Sequence, residues 1–193
     1  MDEHAVAEFP RAFCAVVWHP DALAPLRELQ DSVRAAHADA PLTWLAADDL
    51  HLTLRFFGDV TSAVHARLGA AVTALAGMTR VSRLELQRLE TWPTIRPRVL
   101  VARFRAEPTL VRLQADLERE ARALGLAPEL RRFQPHVTLA RAASGWNGGL
   151  ARIKLAPLSL PADRLGLLHR APRGPQRYVE ALQCRLTPVP EDR

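Results

Sequence analysis

Apolar positions recur along this chain in two alternating rhythms, one with a period of two and one with a period between three and four. The first rhythm marks strands and the second marks amphipathic helices. Residues 12–18 (AFCAVVW) are rich in β-branched and aromatic side chains and read as a buried strand. His19-Pro20-Asp21 breaks the run, with Asp21 a candidate N-cap, and residues 22–37 then place Leu23, Leu26, Leu29 and Val33 at helical spacing. Residues 50–57 alternate strictly. Leu50, Leu52, Leu54 and Phe56 fall on one face, and His51, Thr53 and Arg55 on the other. Helices are predicted again over 62–77 and 109–124, the second ended by Gly125. Further strands are predicted over 81–90, 98–105, 136–140, 163–169 and 177–186, with loops at 144–149 and 171–176. Strand–helix–strand units at this spacing predict a mixed fold rather than an all-helical bundle. No linker divides the chain, so residues 1–193 are taken as one domain.

Two segments in this pattern are near copies of each other. His51-Leu52-Thr53-Leu54 and His136-Val137-Thr138-Leu139 lie 85 residues apart, each in a predicted strand and each followed by an arginine, Arg55 and Arg141. Side chains at i and i+2 of a strand share a face, so each segment offers one imidazole and one hydroxyl on one side. The intervening Leu or Val anchors the other side in the core. Opening a phosphodiester with water requires a base to deprotonate the water and an acid to protonate the departing oxygen. Imidazole, with an ordinary pKa of about 6.5, serves either purpose near neutral pH. Hydroxyls beside the imidazoles can hold the non-bridging oxygens on which charge builds. A single His-x-Thr is commonplace. Two in equivalent units, among seven histidines in all, are not.

Composition narrows the picture further. With 48% apolar and 24% charged residues the chain is an ordinary globular protein, not a disordered or repetitive one. No uncharged apolar stretch is long enough to span a membrane, and the N-terminal segment has no secretory pattern, so a cytoplasmic location is expected. The two cysteines, Cys14 and Cys184, read as reduced core thiols. No spacing suits a metal site, and neither metal nor cofactor is expected. The net charge is +5, carried by arginine apart from Lys154, and guanidinium pairs well with phosphate. His4, His19, His37 and His65 are expected at the surface. Phe56 and Phe57 are expected in the core, and Trp44, Trp92 and Trp146 in packing or at a groove.

Taken with their flanks, the two tetrads resemble the hallmark of the two-histidine (2H) phosphoesterase superfamily. The nearest branch is LigT-like, the RNA 2′,3′-cyclic phosphodiesterases also called 2′-5′ RNA ligases. The likeness includes RAFCAVVWHP at 11–20, LHLTLRFFGDV at 50–60, RPRVLVARF at 96–104, FQPHVTLAR at 133–141 and RYVEALQCRL at 177–186, so it runs from about residue 11 to 187. The resemblance implies an α+β, bilobal fold of two pseudo-symmetric lobes. Antiparallel sheets would surround a central groove, with helices outside. It also implies metal-independent opening of a terminal 2′,3′-cyclic phosphate to a 2′-phosphate, with RNA or a cyclic nucleotide as partner; nothing in the sequence requires a dimer, and a monomer is expected. His51 would be the proton donor and His136 the acceptor, although the residues alone do not distinguish them. Thr53 and Thr138 would hold the phosphate. Arg141 and Arg55 are candidate substrate contacts. Strict alternation places Arg55 beside His51 but puts Arg141 on the wrong face unless the strand ends there. Tyr178 is a candidate for base stacking or for the groove rim. Two other readings use the same groove: reversible 2′-5′ ligation, and RNA binding without turnover.

Overall fold

The computed structural model describes residues 8–80, 82–146, 149–150, 153–171 and 177–187. The chain runs β1 (Phe9–Val16), α1 (Ala24–Ala35), β2 (Thr43–Trp44), β3 (Leu52–Val60), α2 (Ser62–Met78), β4 (Ser82–Trp92), β5 (Val99–Phe104), α3 (Pro108–Ala123), β6 (His136–Arg141), β7 (Ser159–Ala162), β8 (Arg164–Arg170) and β9 (Tyr178–Arg185). Short 3-10 turns lie at Pro20–Leu23 and Ala47–Asp49. The strands form one antiparallel sheet in the order β7-β4-β5-β6-β3-β1-β8-β9, with β2 beside β6.

That order reads as two four-stranded halves. In each, a helix links two adjacent antiparallel strands: β1-α1-β3 in one half and β5-α3-β6 in the other. The halves meet at β3 and β6, where the one registered pair is Leu52 opposite Val137. These are the second residues of the two tetrads, each between a histidine and a threonine. A pseudo-two-fold axis therefore passes between them, and both side chains are fully buried. Burying an aliphatic side chain of this size is worth about 1.5–3 kcal/mol, so the junction is anchored by its own sequence.

One face of the sheet carries the helices and the main core, including Leu52, Leu54, Val72, Leu117, Val137, Leu139 and Leu165. On the other side a small cluster of Phe13, Ala15, Val17 and Leu168, with Phe56 and Tyr178 against it, floors part of the concave face. The helix ends follow local chemistry. The Thr61 hydroxyl accepts from Val64 N–H at the start of α2. After α3, Gly125 at φ +78° lets Leu126 N–H reach the carbonyl of Ala121, which closes the last turn.

Most predicted elements form within a few residues of their expected bounds. Asp21 does not cap α1. His19 caps the preceding 3-10 turn, its Nδ1 accepting from Asp21 N–H. His37 is buried rather than superficial, bonded to the carbonyl of Val33 and edge-on to Trp146. His65 is half-buried and stacked on Phe9. Cys14 is buried and Cys184 only partly so. β2 and β7 were not predicted, being two and four residues long, and Pro161 interrupts the pattern in β7. His4, part of the 144–149 loop and residues 172–176 lie outside the described residues.

Candidate active site

Antiparallel pairing of Leu52 with Val137 sets the site. Continued one residue each way, the register places His51 beside Thr138 and Thr53 beside His136, on the face opposite the buried pair. The two imidazoles become diagonal neighbours, a relation that spans about 7–8 Å at the backbone. A cavity of about 350 Å³ is lined by all four side chains together with Arg11, Phe13, Asp49, Phe56, Arg131, Arg141 and Tyr178.

The imidazoles are anchored alike. His51 Nδ1 lies 2.7 Å from the carbonyl of Asp49, and His136 Nδ1 lies 2.7 Å from the carbonyl of Gln134. A carbonyl only accepts, so each Nδ1 carries the hydrogen and each Nε2 is left for chemistry. Burial holds both rings below the ordinary histidine range, His51 to about 4, and nearby guanidinium charges add to the effect, Arg141 and Arg177 at His51 and Arg103, Arg141 and Arg131 at His136. Both are neutral in the free protein at pH 7. An anion seated between them counters the nearby guanidinium charge and draws a proton onto either ring.

Two β-bulges decide where the arginines point. Between Thr138 and Ala140, β6 advances two residues while β5 advances one, from Val101 to Leu100. Leu139 and Ala140 are both buried, and Arg141 returns to the cleft side despite its odd spacing from His136. Its Nε is buried and has no hydrogen-bond acceptor among the described residues. Burial and the charges of Arg177 and Arg11 pull its pKa down, as expected of crowded cations that an anion relieves.

β3 bulges at the equivalent place, advancing from Thr53 to Arg55 while β1 steps from Ala15 to Cys14. Here the bulge overturns an expectation. Arg55 does not share the face of His51. It turns inward, 5% exposed, donates to Glu118 on α3 at 2.5 Å and also bonds the carbonyls of Phe56 and Ala127. It borders a neighbouring cavity but is absent from the lining of the one between the histidines. Phe56, expected in the core, faces the cleft instead, while Phe57 is buried.

Tyr178 meets His51 edge-on at 5.3 Å, and Phe13 lies 4.8 Å from the same ring. Trp92 is a groove residue, edge-on to His136 at 4.6 Å, whereas Trp146 is packed in the core. Sequence reasoning missed Arg11. It occupies a third bulge at φ +53°, its backbone N–H held by the Asp59 carboxylate at 2.7 Å and its guanidinium over Phe56. A non-glycine residue in that conformation marks stored strain and invites a functional explanation. Here the bulge aims a cation into the cleft. The available signal was an arginine next to Pro10 at the mouth of a buried strand. Among the described residues no three His, Cys, Asp or Glu side chains group as metal ligands, and no helix is long and apolar enough to cross a membrane.

An antiparallel α+β sheet folded about two matched His-x-Thr tetrads defines the class of protein: a two-histidine phosphoesterase fold with its cleft at the pseudo-two-fold axis. The chain belongs to the 2′-5′ RNA ligase superfamily, whose family model matches residues 24–174. It is 36% identical over 118 residues to an RNA 2′,3′-cyclic phosphodiesterase of Aeropyrum pernix, covering 60% of this chain and 65% of that protein, just under two thirds. It is 35% identical over 144 residues to the Escherichia coli protein of the same name, covering 72% and 76%. The crystal structure of E. coli LigT complexed with 3′-AMP superposes with a TM-score of 0.72 at 27% identity, over 93% of this chain and 99% of that one.

Proposed function

We propose that the protein hydrolyses terminal 2′,3′-cyclic phosphates of RNA, or cyclic nucleotides, to 2′-phosphates. The observation that carries this reading is the pair of Nδ1-anchored imidazoles, each beside the other tetrad's threonine, facing one cationic cavity. Relatives named for the same activity support it.

In this mechanism Thr53, Thr138 and Arg141 hold the non-bridging oxygens. His136 Nε2 takes a proton from water as its oxygen bonds to phosphorus. The P–O3′ bond breaks, and O3′ takes the proton carried by His51 Nε2. The product has a 2′-phosphate and a free 3′-hydroxyl, and proton exchange with solvent resets the rings. Loading His51 with its proton falls to the bound anion, because the free protein keeps that ring neutral. Tyr178 and Phe13 steady the His51 ring. The protein works as a cytoplasmic monomer, with residues 1–193 as one catalytic unit.

The test is hydrolysis of nucleoside 2′,3′-cyclic phosphates in excess chelator. A bell-shaped pH profile and a 2′-phosphate product are expected. Wild-type rates no higher than those of a His51→Ala, His136→Ala double variant would sink the reading. Ligation is a second reading, supported by a cavity of about 530 Å³ adjoining His136, lined by Trp92, Phe133, Arg131 and Arg132 among others. That cavity can admit a hydroxyl-bearing nucleotide where water would attack. Supplying a 5′-hydroxyl strand and finding a joined 2′-5′ product would establish it.

A further inference from the structure

The two histidines share a tautomer and a face, but their surroundings differ in kind. On β1, continuing the Val16–Leu52 register puts Val17 beside His51, and the aromatic rings of Phe13 and Tyr178 complete an apolar setting. On β5 the equivalent position is Arg103, paired directly opposite His136. Arg103 is one node of a closed set of contacts. Its NH1 lies 3.2 Å from Glu90 Oε2 and donates to the side-chain oxygen of Gln134, whose backbone carbonyl in turn holds His136 Nδ1. Glu90 Oε2 also accepts from Trp92 Nε1 at 2.9 Å, and Oε1 accepts from Arg88. The Arg103 guanidinium lies 5.5 Å from the centre of the Trp92 ring, whose edge meets the His136 imidazole.

We propose that Arg103 and Glu90 are positioning residues for His136, acting through Trp92 and Gln134. The inference rests on the reading of His136 as a proton carrier and extends it to side chains that do not touch the phosphate. Arg103 clamps two sides of the imidazole. Through Gln134 it fixes the carbonyl that sets the tautomer, and through Trp92 it fixes the wall against which the ring stands. Its charge opposes protonation of His136, and Glu90 offsets that charge. The pair sets how readily the ring accepts a proton. His51 has Val17 at the equivalent place instead of a charged pair, and burial, ahead of the charges of Arg141 and Arg177, sets its proton affinity, so the two halves of one duplicated device hold their protons by different means.

Other charges also reach His136: Arg141 from its own strand, Arg131 from the preceding loop and His51 across the cleft, with Glu129 pairing Arg131. The test therefore compares variants that leave all of these in place. Glu90→Gln keeps the shape and removes the offsetting charge, so the His136 pKa should fall by about half a pH unit or more. Arg103→Met removes the opposing charge, so the pKa should rise by a similar amount. Arg103→Lys keeps the charge but loses the fork, so the pKa should stay near wild type while kcat drops several-fold. NMR titration of the His136 ring in the full chain reads the pKa without substrate, and the pH profile of cyclic phosphate hydrolysis reads it again in turnover.

Opposite shifts in Glu90→Gln and Arg103→Met support the proposal. Shifts of the same sign, or lost activity with an unmoved His136 titration, overturn it and leave the network a purely structural one. Arg103→Gln replaces the methionine variant should the latter not fold. If the wild type hydrolyses no cyclic phosphate while the titrations still diverge, the functional reading fails and the positioning survives. If hydrolysis is normal and the titrations do not diverge, only the positioning fails.

Discussion

The two tetrads begin as copies and diverge at the fourth and fifth positions after each histidine. The fourth is Arg55 in one and Ala140 in the other, and in both strands a bulge turns it into the core. The fifth is Phe56 in one and Arg141 in the other, and the same bulge turns both to the cleft. Repetition at the backbone level is thus preserved while side-chain chemistry is redistributed. One half presents an aromatic face to the cavity and the other a cation. The arginines that follow the two motifs look equivalent in the sequence but occupy non-equivalent places, one paired with Glu118 in the interior and one lining the cavity. A duplicated strand pair gives geometry twice, and divergence within it gives the site a direction.

Removing either imidazole should have the largest effect. His51→Ala and His136→Ala should each lower kcat by about 10³-fold or more, read as hydrolysis of a cyclic nucleotide. The double variant should be little worse than either single one, because acid and base act as a unit. A single variant that keeps more than a tenth of the activity would show that the halves are not both needed.

Arg55→Ala should spend its effect on stability instead. Its guanidinium and Glu118 form a largely buried pair, and removing one partner of such a pair costs about 3–5 kcal/mol. Urea unfolding should show this loss, while the fraction still folded should turn over substrate at close to the wild-type rate. A stable but inactive Arg55→Ala protein would return that arginine to the site.

Acid stability separates the histidines from ordinary surface groups. The folded His51 ring has its pKa depressed from 6.5 to about 4 by burial. Above pH 6.5 the ring is neutral both folded and unfolded, so it contributes no penalty. Between pH 6.5 and 4 the unfolded chain takes up the proton and the folded one does not, so stability falls as pH falls. The full effect is about 3 kcal/mol, at 1.36 kcal/mol for each unit of pKa. Urea midpoints across this range should drop more steeply for wild type than for His51→Ala. Equal slopes would place His51 in a wetter environment than its burial implies.

How much of this could be read beforehand follows from what period-two alternation can encode. The tetrads, their strands, the shared face of each His-Thr pair and the buried Leu52 and Val137 all follow from it. The site residues it misplaced, Arg55 and Phe56, stand beyond a bulge, where one extra residue reverses every later face. For the same reason Arg141 looked misplaced when it was not. Arg11 was missed because its role depends on a left-handed backbone held by Asp59, a contact 48 residues away in the chain. His37 was misjudged because its position at the end of a helix says nothing of the Trp146 ring that covers it.

The fifth position provides the finest test of the divergence. Arg141 lines the cavity between the imidazoles, and its buried Nε has no acceptor among the described residues, so an anion bound there would meet an uncompensated cation. A hydrogen bond to a charged group is worth about 1.5–3 kcal/mol, so Arg141→Met should lower kcat/KM roughly 10- to 100-fold without loss of folding stability. Phe56→Leu at the equivalent position should leave the reaction of a small cyclic nucleotide within a few-fold of wild type, because an aromatic face contributes no charge to the phosphate. If the two substitutions prove equally damaging, the aromatic half contributes to the chemical step as strongly as the cationic half. The phosphate would then sit on the pseudo-two-fold axis rather than being drawn toward Arg141.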